Sequence, residues 1–169
     1  MKLPASNFQL SNFSINCNGR LVDLNTPKIM GILNLTPDSF SDGGKFNDEK
    51  SALLQAEKMI KDGADFIDIG AQSTRPNADF LSARQEILRI GNVISLIKKE
   101  FPETLISLDT FYADVVKFGF DEGIDVVNDI SGGDFDDNLL KTVAKTKLPY
   151  ILMHSNSTYQ NMHEKIQYE

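Results

Sequence analysis

Five short apolar runs in this chain each end in side chains able to do chemistry: Asn34, Ser73 with Thr74, Asp109, Asn128 with Asp129, and His154. After Asn34 comes a polar, glycine-rich stretch, Leu35-Thr36-Pro37-Asp38-Ser39-Phe40-Ser41-Asp42-Gly43-Gly44. It exceeds the two to six residues or so usual between a strand and a helix. Asn34 offers a carbonyl oxygen to a hard cation, Asp42 a carboxylate, and Phe40 an apolar wall for a flat molecule. The second stretch, Gly70-Ala71-Gln72-Ser73-Thr74-Arg75-Pro76-Asn77-Ala78, sets a planar guanidinium beside two hydroxyls. That combination suits phosphate oxygens, although an Arg in a surface turn looks the same in isolation.

Asp109 and Asn128 end the third and fourth runs. A carboxylate that accepts two N–H bonds suits a 2-amino-4-oxo pyrimidine edge, and an amide can donate and accept beside it. Read alone, Asp109 fits equally well as a helix N-cap. His154 has no zinc-spaced partner, since His163 is nine residues on. Cys17 has no base or helix N-terminus near it in sequence, which argues against a nucleophile.

Positioning these groups at one place is the work of alternating strands and helices. The spacing predicts strands at 28–34, 65–70, 104–109, 125–130 and 149–153, apolar enough for a parallel sheet buried on both faces. It predicts helices at 48–62, 83–99, 112–122 and 137–145. Asn47 is the expected N-cap of the first, with Gly63 at its exit. Ser82 and Gln85 form a capping box for the second. Residues 1–27 read as an N-terminal hairpin, with Asn18-Gly19 as a type I′ turn. A weak repeat, Asp62-Gly63-Ala64-Asp65 against Glu122-Gly123-Ile124-Asp125, recurs at an interval of two strand–helix units.

Polar groups at the C-terminal ends of nearly all the strands favour a (β/α)8 TIM barrel over an open doubly wound sheet, which gathers its site at one switch point. No glycine-rich nucleotide loop of either common type is present. Eight units take about 250 residues, and the 169 here supply five. The expectation is one domain over 1–169, with 28–169 forming the first five βα units of a longer barrel.

Composition narrows the function further. Apolar residues make up 41% and charged residues 24%, with 11 glycines and 6 prolines, which excludes collagen-like and disordered classes. With 17 basic and 24 acidic residues the net charge is −7, unsuited to general nucleic-acid binding. No apolar run approaches the roughly 20 residues of a membrane span, and no secretory signal is visible. A single cysteine leads to the expectation of a cytoplasmic protein.

The stretch Met30-Gly31-Ile32-Leu33-Asn34-Leu35-Thr36-Pro37-Asp38-Ser39-Phe40-Ser41-Asp42-Gly43-Gly44 resembles the first signature of the dihydropteroate synthases. Ser73-Thr74-Arg75-Pro76 resembles the second, and Ser107-Leu108-Asp109-Thr110, Asn128-Asp129-Ile130 and Leu152-Met153-His154 follow in order. The resemblance implies a TIM-barrel transferase of folate biosynthesis, the target of sulfonamides. Such an enzyme joins 6-hydroxymethyl-7,8-dihydropterin diphosphate to 4-aminobenzoate with Mg2+, and a full-length member is expected to be a homodimer. By motif, Asn34 would bind Mg2+, Thr74 and Arg75 the diphosphate, and Asp109 and Asn128 the pterin. Phe40 and Pro76 would wall the aminobenzoate pocket, and Asp42 would steady a cationic pterin intermediate, so that Asp42 and Arg75 are the expected catalytic residues.

Two departures stand out. Gln72 occupies a position where the family usually has Glu, and Ser155-Asn156-Ser157-Thr158 is atypical after His154. The family's Asp-Pro-Gly, Ser-Arg-Lys and Arg-x-His motifs have no counterpart in these residues. A related pterin-binding methyltransferase barrel would share Asp109 and Asn128 but not need the two loops, and a non-catalytic pterin-binding or assembly fragment is the third alternative.

Overall fold

A computed structural model describes residues 13–36, 45–72 and 80–154, with residues 45–48 described in backbone only. A hairpin opens it: β1 (Ser14–Cys17) pairs antiparallel with β2 (Arg20–Asp23). Asn18 and Gly19 turn it with φ of 51° and 92°, as the I′ turn requires.

Five parallel strands follow: β3 (Met30–Asn34), β4 (Phe66–Gly70), β5 (Leu105–Asp109), β6 (Val126–Asp129) and β7 (Tyr150–Leu152). They lie side by side in chain order, 3-4-5-6-7. Between them run α1 (Lys45–Lys61), α2 (Ala83–Ile90), α3 (Val93–Glu100), α4 (Ala113–Glu122) and α5 (Leu139–Thr146).

Strand parity shows which side the helices cover. Leu33, Ile67, Ile69, Ile106, Leu108 and Val127 all point to one face and pack in a single core with residues from all five helices, among them Ala56, Ile90, Ile97, Val116 and Val143. The alternate residues Phe66, Leu105 and Val126 point the other way and meet Cys17 and Val22 of the hairpin instead. A doubly wound sheet would reverse its strand order and carry helices on both faces. Unbroken order with helices on one side is barrel architecture, here a partial barrel whose N-terminal end the hairpin plugs. Among the described residues β3 and β7 each have one strand neighbour.

The repeat noticed in the sequence is structural. Asp65 Oδ2 accepts from Ile29 N, and Asp125 Oδ2 from Ile106 N, both at 2.8 Å. Each carboxylate ties the start of its own strand to the start of the strand before it. Lys28 and Lys98 complete the two pairs.

Two expectations need correction. The helix predicted at 83–99 is two helices, because Gly91 (φ 52°) ends α2 in a conformation that side-chain-bearing residues avoid. The regular isoleucine spacing ran through this break and concealed it. Helix α1 begins at Lys45, so Asn47 lies inside it rather than capping it. The Ser82–Gln85 capping box is present in both directions, with Ser82 N donating to Gln85 Oε1 at 2.9 Å.

Candidate active site

The inner, helix-free face of the sheet changes character along the strands. Near the hairpin it is apolar, with Met30, Phe66, Leu105 and Val126. Two residues further along come Asp68 and Ser107, which are register partners, and then Asn34, Gly70, Asp109 and Asn128, also in register. Three of the residues expected to bind ligand, Asn34, Asp109 and Asn128, are therefore brought to one end of one face.

Gly70 makes room for them. A Cβ there would stand 3.2 Å from Asp109 Oδ2 and 3.6 Å from Asn34 Oδ1. The two side chains converge over this bare strand position, where even a Cβ would crowd the Asp109 carboxylate by a few tenths of an ångström.

Asp68, which the sequence reading passed over, lies beneath. It is 5% exposed, and its Oδ2 accepts from Asn128 Nδ2 at 3.0 Å. β4 and β6 are two strands apart, roughly 9.5 Å in a flat sheet. Side chains as short as Asp and Asn meet over that span only where the face is concave, and the small Ser107 between them leaves the path open. The signal was there: a charged residue inside an otherwise apolar strand is rarely buried without a purpose.

Burial, and then the charges of Asp68, Glu86 and Asp129, push Asp109 up to about 7. Its carboxyl is thus poised between neutral and ionised near neutrality, as perturbed groups at binding sites often are. The helix-cap alternative fails, since α4 starts after Tyr112 and Asp136 Oδ2 accepts from its first amide, Ala113 N, at 2.8 Å.

Asn128 and Asp129 divide their labour. Asp129 accepts from Ser131 N and Gly133 N, both at 2.7 Å, and from the Tyr150 hydroxyl. It organises the loop after β6 and leaves Asn128 for the inner face.

The loop after β4 is tied off at its base. Gln72 Oε1 accepts from Leu81 N (3.1 Å), while Gln72 Nε2 donates to Leu81 O (3.0 Å) and to Glu86 Oε2 (2.8 Å). Glu86 is fully buried, which raises its carboxyl above the usual range. An amide at position 72 gives one oxygen of this buried acid a donor; a second carboxyl there would need one of the two protonated. Arg89 donates to Ala71 O, and the Tyr112 hydroxyl to Leu81 O. Phe111 stacks 4.2 Å from Phe135 and meets Phe80 edge-on, linking the chain that follows β4, β5 and β6 along one rim.

Phe40, Asp42, Ser73, Thr74, Arg75 and Pro76 lie outside the described residues, as do Ser155–Thr158 and His163. His154 is exposed at the end of the described chain. Cys17 is buried under the hairpin; burial, and then the charge of Asp125, push its thiol up to about 11, so it is no nucleophile. Among the described residues no three His, Cys, Asp or Glu side chains are grouped to hold a metal, and no helix is long and apolar enough to cross a membrane.

Residues 30–169 match the family of pterin binding enzymes. The chain belongs to that family. A mitochondrial folate synthesis bifunctional protein of Arabidopsis thaliana is 47% identical over 150 residues, which is 86% of this chain and 27% of that protein. The dihydropteroate synthase of Clostridium beijerinckii is 45% identical over 140 residues, 82% of this chain and 52% of its own. The solved structure of Xanthomonas albilineans dihydropteroate synthase with 4-aminobenzoic acid superposes with a TM-score of 0.80 at 33% identity, covering 87% of this chain and 53% of that one. This member of the family thus spans between about a quarter and about half of the two curated relatives.

Proposed function

We propose that the protein is a dihydropteroate synthase, a transferase that joins 6-hydroxymethyl-7,8-dihydropterin diphosphate to 4-aminobenzoate and releases diphosphate. What chiefly supports this is the meeting of Asn34 and Asp109 over Gly70, with Asn128 in register beside Asp109, in a chain of the pterin-binding family whose two signature loops leave from the same rim.

In this reading Asp109 accepts N–H bonds from the pterin, and Asn128 donates and accepts beside it. Thr74 and Arg75 bind the diphosphate, and Arg75 takes up charge as the C–O bond to the methylene carbon breaks. The electron pair leaves with diphosphate. Asp42 steadies the pterin cation left behind, and Phe40 and Pro76 hold 4-aminobenzoate so that its amine attacks that carbon. No protein nucleophile is needed, which agrees with the buried, protonated Cys17.

Asn34 fits a magnesium role as one neutral oxygen at the rim. Mg2+ takes only one or two protein ligands when phosphate oxygens and water supply the rest, so a single amide oxygen is compatible with it. When bound, Mg2+ would neutralise the leaving diphosphate.

The test is diphosphate release by the full-length protein. Release that depends on both 4-aminobenzoate and Mg2+, and that a sulfonamide inhibits, is the expected result. Methyl transfer from a methylated folate with no diphosphate release would overturn the proposal in favour of the methyltransferase alternative.

A further inference from the structure

We propose that Asp68 is a specificity-determining positioning residue: it holds the Asn128 amide in one orientation and so selects a ligand edge with an exocyclic amine beside a ring nitrogen. The inference rests on the pterin reading above and deepens it.

A carboxylate only accepts hydrogen bonds, so the amide must turn its nitrogen toward Asp68 and its oxygen away. That is the arrangement found, with Asn128 Nδ2 on Asp68 Oδ2 at 3.0 Å. One N–H of Asn128 is then committed, and one N–H and one carbonyl oxygen remain side by side. They complement a ring nitrogen that accepts and an adjacent amine that donates. A 2-oxo analogue offers the reverse pattern, N–H beside carbonyl. Asn128 could meet it only by turning its own oxygen onto the Asp68 carboxylate, two acceptors face to face.

The setting makes this preference rigid. Asp68 is 5% exposed, so water cannot substitute for the lost bond. Its other oxygen, Oδ1, and the Ser107 hydroxyl on the neighbouring strand are buried with no hydrogen-bond partner among the described residues. Among the described residues no second donor competes with Asn128 for the carboxylate.

The experiment is calorimetric titration of the full-length protein with 6-hydroxymethylpterin and with the 2,4-dioxopteridine bearing the same hydroxymethyl group. The unaltered protein is expected to prefer the amino compound. Asp68→Asn, which can donate or accept, is expected to cut that preference at least tenfold. Asn128→Ala should cut the preference by a similar factor, leaving what Asp109 contributes, and adding Asp68→Asn to it should change nothing more. A further loss in the double variant would mean that Asp68 meets the ligand itself and would overturn the inference. So would full preference retained in Asp68→Asn while pterin binding persists. A protein that binds neither pteridine would overturn the pterin reading together with it. Should Asp68→Asn not fold, NMR of the unaltered protein decides: one Asn128 side-chain proton is expected to exchange at least tenfold more slowly than its twin, and equal rates would overturn the inference.

Discussion

Asp109 stands at the end of a strand, mostly out of water, with Asp68, Glu86 and Asp129 around it. Its carboxyl ionises near pH 7 in the folded protein and near 3.8 in the unfolded chain. Between those values the folded state holds the proton more firmly, so this group's contribution to stability falls as pH rises from about 4 to about 7, then levels off. Asp109→Asn removes that slope. Denaturant unfolding at pH 5 and pH 8 should show the variant gaining on the unaltered protein at the higher pH, by on the order of a few kcal/mol at most. An unchanged pH slope in the variant would show that Asp109 ionises normally. In the proposed reading the destabilising acid is kept at this spot for a ligand. Asn34, Asp109 and Asn128 stood out in the sequence as polar residues that end apolar strands, although Asp109 alone also read as a helix N-cap. Asp68 was less visible, since what it does depends on Asn128, 60 residues away, across a curved sheet.

Elements were legible where a local rule decides them. The hairpin turn at Asn18-Gly19 and the Ser82–Gln85 box formed as expected because each is satisfied within four residues. The first helix cap and the continuous helix at 83–99 were misread. In the second case a glycine outweighed a run of well-spaced isoleucines. Asp136 capping α4 from the loop after β6 is a contact between distant parts of the chain, and nothing near Ala113 announces it. The Gln72–Glu86 tie is of the same kind. It explains in structural terms how an amide serves at position 72, where the resemblance implied Glu. Gln72→Glu would place a second carboxyl against buried Glu86 and remove the donor to Leu81 O. We expect a loss of about 1–3 kcal/mol above pH 7, shrinking as the pH falls and one carboxyl takes a proton. Thermal unfolding across that range measures it, and a pH-independent loss would mean that the two carboxyls are not in contact.

For the molecule as a whole, the arrangement is a division between two ends of one sheet. The hairpin end is apolar and sealed by Cys17, Val22, Phe66, Leu105 and Val126. The other end gathers acids and amides on a concave face and sends out the two loops. Strand order and one-sided helices identify barrel architecture without the ring being closed among the described residues. In the proposed reading this polar end is the pterin site. The most direct measurement is calorimetric titration of 6-hydroxymethyl-7,8-dihydropterin diphosphate into the full-length protein and its Asp109→Ala variant, with circular dichroism as the check on folding. Loss of even one charge-assisted bond, worth about 1.5–3 kcal/mol, predicts affinity weakened by at least roughly ten- to 150-fold in a folded variant. Unchanged affinity in a folded variant would contradict the account.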